Sequence, residues 1–294
     1  MDIGVCLPYM ERDLSRERLL HWCRMIDEGP FASLSCGERI TAYTIEMRTM
    51  LGAAAAITER VRIVPSLYVL PMHSAVWAAK EIATLDLISG GRVVVTVGVG
   101  GRPMDYRAVG ASFERRHARM DEQVAEMRRI WAGEPAFEGG DEIGPRPVQP
   151  GGPPILAGTL GPKATRRAAE WAQGVYMWSG NGVRAEIEQA IHQVDRCWAE
   201  AERKQEPRRV AGFWCSLAEN SQERLQRYVF DYMKFLGPEF AGAISKTMDR
   251  SSPEAINESI DAMEELCCDE LFLVPATSDL EDIEALSNLV AKRR

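Results

Sequence analysis

Eight short apolar, largely β-branched runs alternate with longer amphipathic stretches along the whole chain, and no other feature limits the fold as tightly. The runs are Ile3 to Leu7, Ala32 to Cys36, Val61 to Val69, Val93 to Val99, Pro154 to Ala157, Gly174 to Trp178, Arg209 to Leu217 and Glu270 to Val274. Such alternation predicts parallel strands, because parallel neighbours need a long crossover, usually a helix, between them. Helical periodicity fills the gaps at Ser15 to Asp27, Ile45 to Ile57, Ala75 to Ile88, Arg115 to Trp131, Pro162 to Ala172, Arg184 to Ala201 and Asp279 to Lys292. Only the seventh connection is larger, where Gln222 to Leu236 and Pro253 to Leu266 read as two helices with a loop between them. Eight strand-helix units predict an α/β fold of the (β/α)8 TIM-barrel type, about 250 residues plus insertions. A doubly wound sheet would usually stop near six strands.

The two insertions fall after helix 4, at Gly133 to Gly152, and after strand 7, from about Ser221 to Asp269. The first is rich in Gly and Pro and reads as an ordered loop or short hairpin. The strand-helix pattern resumes after each, so residues 1 to 294 are expected to form one domain.

Composition narrows the partners. With 35 Lys plus Arg against 43 Asp plus Glu the net charge is -8. An acidic balance argues against broad binding of nucleic acid or of an anionic membrane surface, which need clustered cations. No apolar run approaches the roughly 18 uncharged residues of a membrane span, and the protein is expected to be cytoplasmic. The seven cysteines (6, 23, 36, 197, 215, 267 and 268) form no C-x-x-C pair, and the four histidines show no metal-ligand spacing. Reduced thiols and no metal site are the expectation.

In a barrel of this kind chemistry sits where strands end. Gly98-Val99-Gly100-Gly101 follows strand 4 but lacks the third glycine of a dinucleotide loop. It either lets a flat ligand or a neighbouring backbone approach closely or makes a tight turn. Gly158-Thr159-Leu160-Gly161-Pro162 opens a helix after strand 5. There Thr159 either caps the helix or joins free backbone amides in holding a phosphate, with Lys163 and Arg166 adding charge. Glu38 and Arg39 follow strand 2 and either orient or protonate a substrate or pair with each other at the rim. His73 is a candidate acid or base near the start of the next helix. Tyr68, Trp178 and Trp214 are candidate aromatic walls for a planar ring, or core. Arg119 is a candidate inward-facing cation.

The run Ala83-Thr84-Leu85-Asp86-Leu87-Ile88-Ser89-Gly90-Gly91-Arg92, followed by Val97-Gly98-Val99-Gly100, resembles the signature of luciferase-like flavin and deazaflavin oxidoreductases. Tyr106 to Gly110, Arg119 to Glu122, Arg146-Pro147-Val148-Gln149-Pro150 and Pro153 to Gly158 are similar to the same family in order and spacing. The resemblance implies a TIM-barrel subunit, usually in a homodimer, that binds FMN or the deazaflavin coenzyme F-420 at the barrel mouth. It implies a bulge after strand 3, often with a non-prolyl cis peptide, behind the cofactor ring, and the matching bond is Ser66-Leu67. It also implies ring contacts at Gly98 and Gly100 and a phosphate loop at Gly158, Thr159 and Gly161.

The chain departs from that family in three places. Glu38-Arg39 stands where many deazaflavin members have an acidic residue and His, Ser74-Ala75 where relatives often have His-Pro, and Gln173-Gly174 where Asp-Gly is usual. The resulting expectation is an F-420-dependent oxidoreductase passing hydride to or from a small organic substrate, with Glu38, Arg39 and His73 near that substrate. The alternatives are an FMN-dependent two-component monooxygenase served by a separate reductase, and a non-catalytic flavin-binding protein motivated by the missing histidine.

Overall fold

In the computed structural model, which describes residues 1–293, the eight strands close into one parallel barrel in sequence order. They are β1 (Asp2–Cys6), β2 (Ser33–Cys36), β3 (Arg62–Tyr68), β4 (Val95–Val97), β5 (Ile155–Gly158), β6 (Gly174–Trp178), β7 (Arg208–Cys215) and β8 (Glu270–Pro275). Closure comes from β1 pairing with β8, Asp2 beside Glu270 and Val5 beside Leu273. The fold is the (β/α)8 TIM barrel that the alternation predicts. The helices around it are α1 (Arg16–Glu28), α2 (Met47–Ile57), α3 (Ala75–Ser89), α4 (Pro103–Ala108), α5 (Arg116–Trp131), α6 (Pro162–Trp171), α7 (Arg184–Glu200), α8 (Ser221–Met233), α9 (Pro238–Lys246), α10 (Pro253–Glu265) and α11 (Leu280–Ala291).

Two of these escaped the sequence reading. α4 is a six-residue helix whose first turn begins at Pro103, too short for a 3.6-residue period to show. α9 lies between the two helices expected in the seventh connection, and the expected helix to Leu236 stops at Met233, its last turn tightening to 3-10 geometry over Lys234–Leu236. Gly237 and Pro238 supply the break.

The barrel interior is filled from alternate strand positions by Val64, Val94, Leu156, Tyr176, Val210 and Phe272. Each apolar side chain so buried contributes about 1.5–3 kcal/mol. Beneath this layer Glu270, 1% exposed, closes the N-terminal end of the barrel. It accepts hydrogen bonds from Arg62 (2.9 Å), from Arg208 (2.7 Å) and from the Ser33 hydroxyl.

The signature run sits at the same end, away from the strand termini that face the mouth. Asp86 is fully buried near the end of α3 and accepts from the Gln149 backbone (3.0 Å) and side-chain amide (2.7 Å). That bond pins the Gly133 to Gly152 loop, which contains no helix or strand. Arg92 donates to the carbonyl oxygens of Ala55, Thr58, Val61 and Ser89, tying the α2–β3 turn to β4. Gly90 takes the left-handed conformation that ends α3. This first part of the motif is therefore architectural, while its second part, Val97-Gly98-Val99-Gly100, ends β4 at the mouth.

At the junction of β7 with the second insertion, Asp282 of α11 is fully buried and accepts from the Leu217 amide (2.6 Å) and Ser216 hydroxyl (3.3 Å). Burial pushes its carboxyl up to about 7 from the ordinary 3.8. The stability a raised acid lends is full below its unfolded value and is lost as pH rises through its folded one. The protein is expected to lose roughly 2–3 kcal/mol through this group between about pH 5 and pH 8. Asp282→Asn should flatten that part of the profile in urea unfolding, and an unchanged slope would exclude Asp282 as its source. Among the described residues no helix is long and apolar enough to cross a membrane.

Candidate functional site

The mouth is built from the residues that follow each strand. Within β3 the Ser66–Leu67 peptide is cis and the pairing with β4 shifts register between Ser66 and Tyr68. Leu67 stands across the ends of β4 and β5. A Cβ on Gly98 would lie 2.8 Å from Leu67 Cδ1, and one on Gly158 2.5 Å from Leu67 Cδ2, closer than side chains tolerate. These two glycines give their space to Leu67, so the predicted Cβ-free strand end becomes an apolar floor instead of an open slot. Gly100 packs beside Val69 with φ +60, in the left-handed region that favours glycine.

Glu38 and His73 meet. Glu38 accepts from the Val69 amide (2.7 Å) through Oε2 and faces His73 Nε2 (2.8 Å) through Oε1, with side-chain exposures of 4% and 10%. A carboxylate oxygen accepts, so in this pair Nε2 is the nitrogen that donates. Gln123 (2.8 Å) and Arg119 (3.3 Å) both donate to the His73 carbonyl oxygen, which fixes the backbone beneath the ring and accounts for the inward-facing Arg119.

Arg39 does not pair with Glu38. It is buried, donates to the Tyr232 carbonyl oxygen (2.8 Å), and lies over the Tyr232 ring at 3.6 Å. Beside it Arg102, at the start of α4, lies over Phe235 at 4.9 Å. Burial, and next the charge of Arg39, hold the Arg102 guanidinium below its ordinary value. The 3-10 turn after α8 thus roofs this side of the mouth. Trp214 joins Tyr232 edge to face at 5.0 Å and Trp178 at 4.8 Å, giving an aromatic wall from β6 to the insertion. Tyr68 is not part of it, because its hydroxyl donates to Glu81 of α3 (2.7 Å) and its ring lines a cavity outside the barrel.

Between β5 and α6, Gly161 takes φ +82 and begins the helix with no side-chain cap. Thr159 therefore does not cap, and the first amides of α6 stay open to an acceptor at the positive end of the helix dipole. Arg166 is turned away into a salt bridge with Glu200 (3.2 Å), which leaves Lys163 as the cation beside the loop. Among the described residues no cluster of three His, Cys, Asp or Glu is set to hold a metal ion.

The model of the luciferase-like monooxygenase family matches residues 1–279. The chain belongs to that family. Among curated relatives of this luciferase-like chain, an uncharacterised protein of Mycobacterium tuberculosis is 32% identical over 176 residues, 57% of this chain and 61% of that one. The FMNH(2)-dependent dimethylsulfone monooxygenase of Pseudomonas putida is 28% identical over 49% of this chain and 42% of its own length. The chain thus matches about three fifths or less of the length of these proteins. Among solved structures, an F420-dependent secondary alcohol dehydrogenase in complex with an F420-acetone adduct superposes with a TM-score of 0.81 at 18% identity, covering 100% of this chain and 99% of that one. That likeness is one of fold. The same barrel is shared by the oxygenating constituent of 3,6-diketocamphane monooxygenase from Pseudomonas putida in complex with FMN, at a TM-score of 0.77 and 18% identity, covering 100% of this chain and 98% of that one.

The sequence reading named Glu38 and His73 separately, with Arg39 as the partner weighed for Glu38, and the structure brings Glu38 to His73 instead; Arg102, Tyr232 and Phe235 were not named. The signal for those three was weak: a lone Arg before a short helix, and two aromatics spaced three apart, one in the last turn of α8 and one in the 3-10 turn after it.

Proposed function

We propose that the chain is a deazaflavin-dependent oxidoreductase that uses coenzyme F-420 for hydride transfer to or from a small organic substrate. The observation that carries this reading is the buried Glu38–His73 pair at the mouth. Oxidising an alcohol, or reducing a carbonyl, moves one proton along with the hydride, so the site needs a held acid or base as well as a redox partner. When bound, F-420 supplies the carbon that takes or gives the hydride. His73 takes the hydroxyl proton in oxidation and returns one in reduction, and Glu38 keeps the imidazole in one tautomer.

The residues fit the cofactor. Ser66, Leu67, Gly98 and Gly100 would back its ring on the apolar floor, and Gly158, Thr159 and Gly161 would hold its phosphate at the uncapped start of α6. Trp178 and Trp214 would exclude water from the wall. The second reading, reduced FMN delivered by a separate reductase for monooxygenation, is supported by the likeness to the Pseudomonas enzyme. It would use the same floor and loop.

A homodimer belongs to the reading. On the outer face of α2 and α3 a cavity of about 320 Å³ is lined by Leu51, Pro65, Tyr68 and Ile88, with Trp77 62% exposed beside it. We assign a second copy of the chain to that face, since exposed apolar patches of this kind mark interfaces. The cysteines are free and, apart from Cys267, buried, which suits a reducing compartment, and we assign the protein to the cytoplasm.

Fluorescence titration of the purified protein with F-420 and with FMN, with sedimentation of the loaded sample, tests this. The expected result is one F-420 per chain in a particle of two chains. Tight FMN binding with negligible F-420 binding would overturn the deazaflavin reading. Binding without turnover of any alcohol or carbonyl substrate would favour a non-catalytic flavin-binding protein.

A further inference from the structure

At the closed end of the barrel two arginines, Arg62 and Arg208, share the carboxylate of Glu270. At the open end Arg39 and Arg102 lie near one another with no carboxylate shared between them. Arg39 is 8% exposed and makes no ion pair among the described residues; its charge is met by the Tyr232 carbonyl oxygen and ring face. Arg102 donates to the Thr41 carbonyl oxygen (3.2 Å), while its Nε is buried without a hydrogen-bond acceptor. The nearest carboxylate, Asp105, reaches Arg102 Nε only at 3.7 Å, and its other oxygen is taken by the Thr41 amide (2.8 Å) and hydroxyl. The group of two guanidiniums and one carboxylate keeps one positive charge in a largely desolvated place. Holding such a charge unpaired is costly, and an arriving anion removes that cost.

We propose that Arg39 and Arg102 bind the carboxylate of an organic-acid substrate whose apolar body lies along the wall of Tyr232, Trp214 and Trp178. This rests on reading the mouth as the active site. Guanidinium forks match a planar carboxylate through two parallel hydrogen bonds, which a neutral amide of the same shape cannot reproduce. The position after β2, where the family's histidine is replaced, thus selects the substrate while His73 handles the proton. The same chemistry could be supplied by the acidic tail of the cofactor, and the test separates the two.

Calorimetric titration with benzoate and with benzamide, each against the protein alone and against the protein with saturating F-420, reads the site without a known substrate. Benzoate is expected to bind at least tenfold more tightly than benzamide under both conditions. The preference should vanish in Arg39→Gln and in Arg102→Gln, and weaken in Arg39→Lys, which keeps the charge but loses the fork. Equal affinity for the two probes, or no saturable benzoate binding at millimolar concentration, overturns the proposal irrespective of how the variants fold. Displacement of F-420 by benzoate, with loss of F-420 affinity in both Gln variants, assigns the carboxylate to the cofactor and also overturns it. A benzoate preference in a protein that binds neither cofactor would sink the oxidoreductase reading while leaving the anion site standing.

Discussion

Replacing Glu270 with Ala is expected to cost about 3 kcal/mol of unfolding free energy, the low end of the range for breaking a buried ion pair. The carboxylate is 2% exposed and meets Arg62 and Arg208, whose side chains are 28% and 29% exposed. Its removal takes from Arg208, whose Nε is already buried without an acceptor, its carboxylate partner, while Arg62 keeps Asp2 at 2.7 Å. Because both arginines keep a path to water, the loss stays near the bottom of that range. Glu270→Gln keeps the shape and the bond from Ser33 and should cost roughly half as much, by analogy with a hydrogen bond to a charged group. Urea unfolding of the two variants measures this. A loss under about 1 kcal/mol for Glu270→Ala would show that the arginines, and not the carboxylate, organise this end of the barrel.

His73→Asn is expected to lower turnover by about 10²–10⁴-fold, the usual contribution of a positioned acid or base. Asparagine can keep a hydrogen bond to Glu38 but cannot take a proton. Cofactor affinity should stay within about twofold, since Leu67 and the uncapped start of α6 are untouched, and the loss should fall on kcat and not on KM. Glu38→Gln can still accept from the Val69 amide through its carbonyl oxygen but turns an NH2 donor toward His73, which favours the other tautomer, so a loss of kcat is expected. Steady-state kinetics across pH, with whichever alcohol or carbonyl compound the wild type turns over, decides the matter. Unchanged kcat in His73→Asn would remove the proton-transfer role.

The barrel was legible because its signal is redundant. Each run such as Glu270 to Val274 is apolar enough to be buried on both faces, and eight of them in alternation admit few topologies. Short elements left no such trace: α4 and α9 occupy six and nine residues behind a proline. The site divided along the same line. Glycines at strand ends carry their meaning locally, so Gly98, Gly158 and Gly161 could be singled out from neighbours in sequence. Arg39 could be named but not understood, because its partners, Tyr232 and Phe235, lie almost two hundred residues away and nothing in the chain announces that they return to the mouth. Tyr68 shows the converse, since a residue at a strand end can still face outwards, as its bond to Glu81 makes plain.

The roof over Arg39 and Arg102 comes from one continuous stretch of chain, the last turn of α8 and the tighter turn that follows it. The floor and the phosphate loop come instead from three other strand ends. The aromatic faces are therefore inherited on one piece of the gene, and the two arginines they cover on two others, after β2 and before α4. Exchange of a single cassette between β7 and β8 would strip the aromatic cover from Arg39 and Arg102 with no strand of the barrel altered.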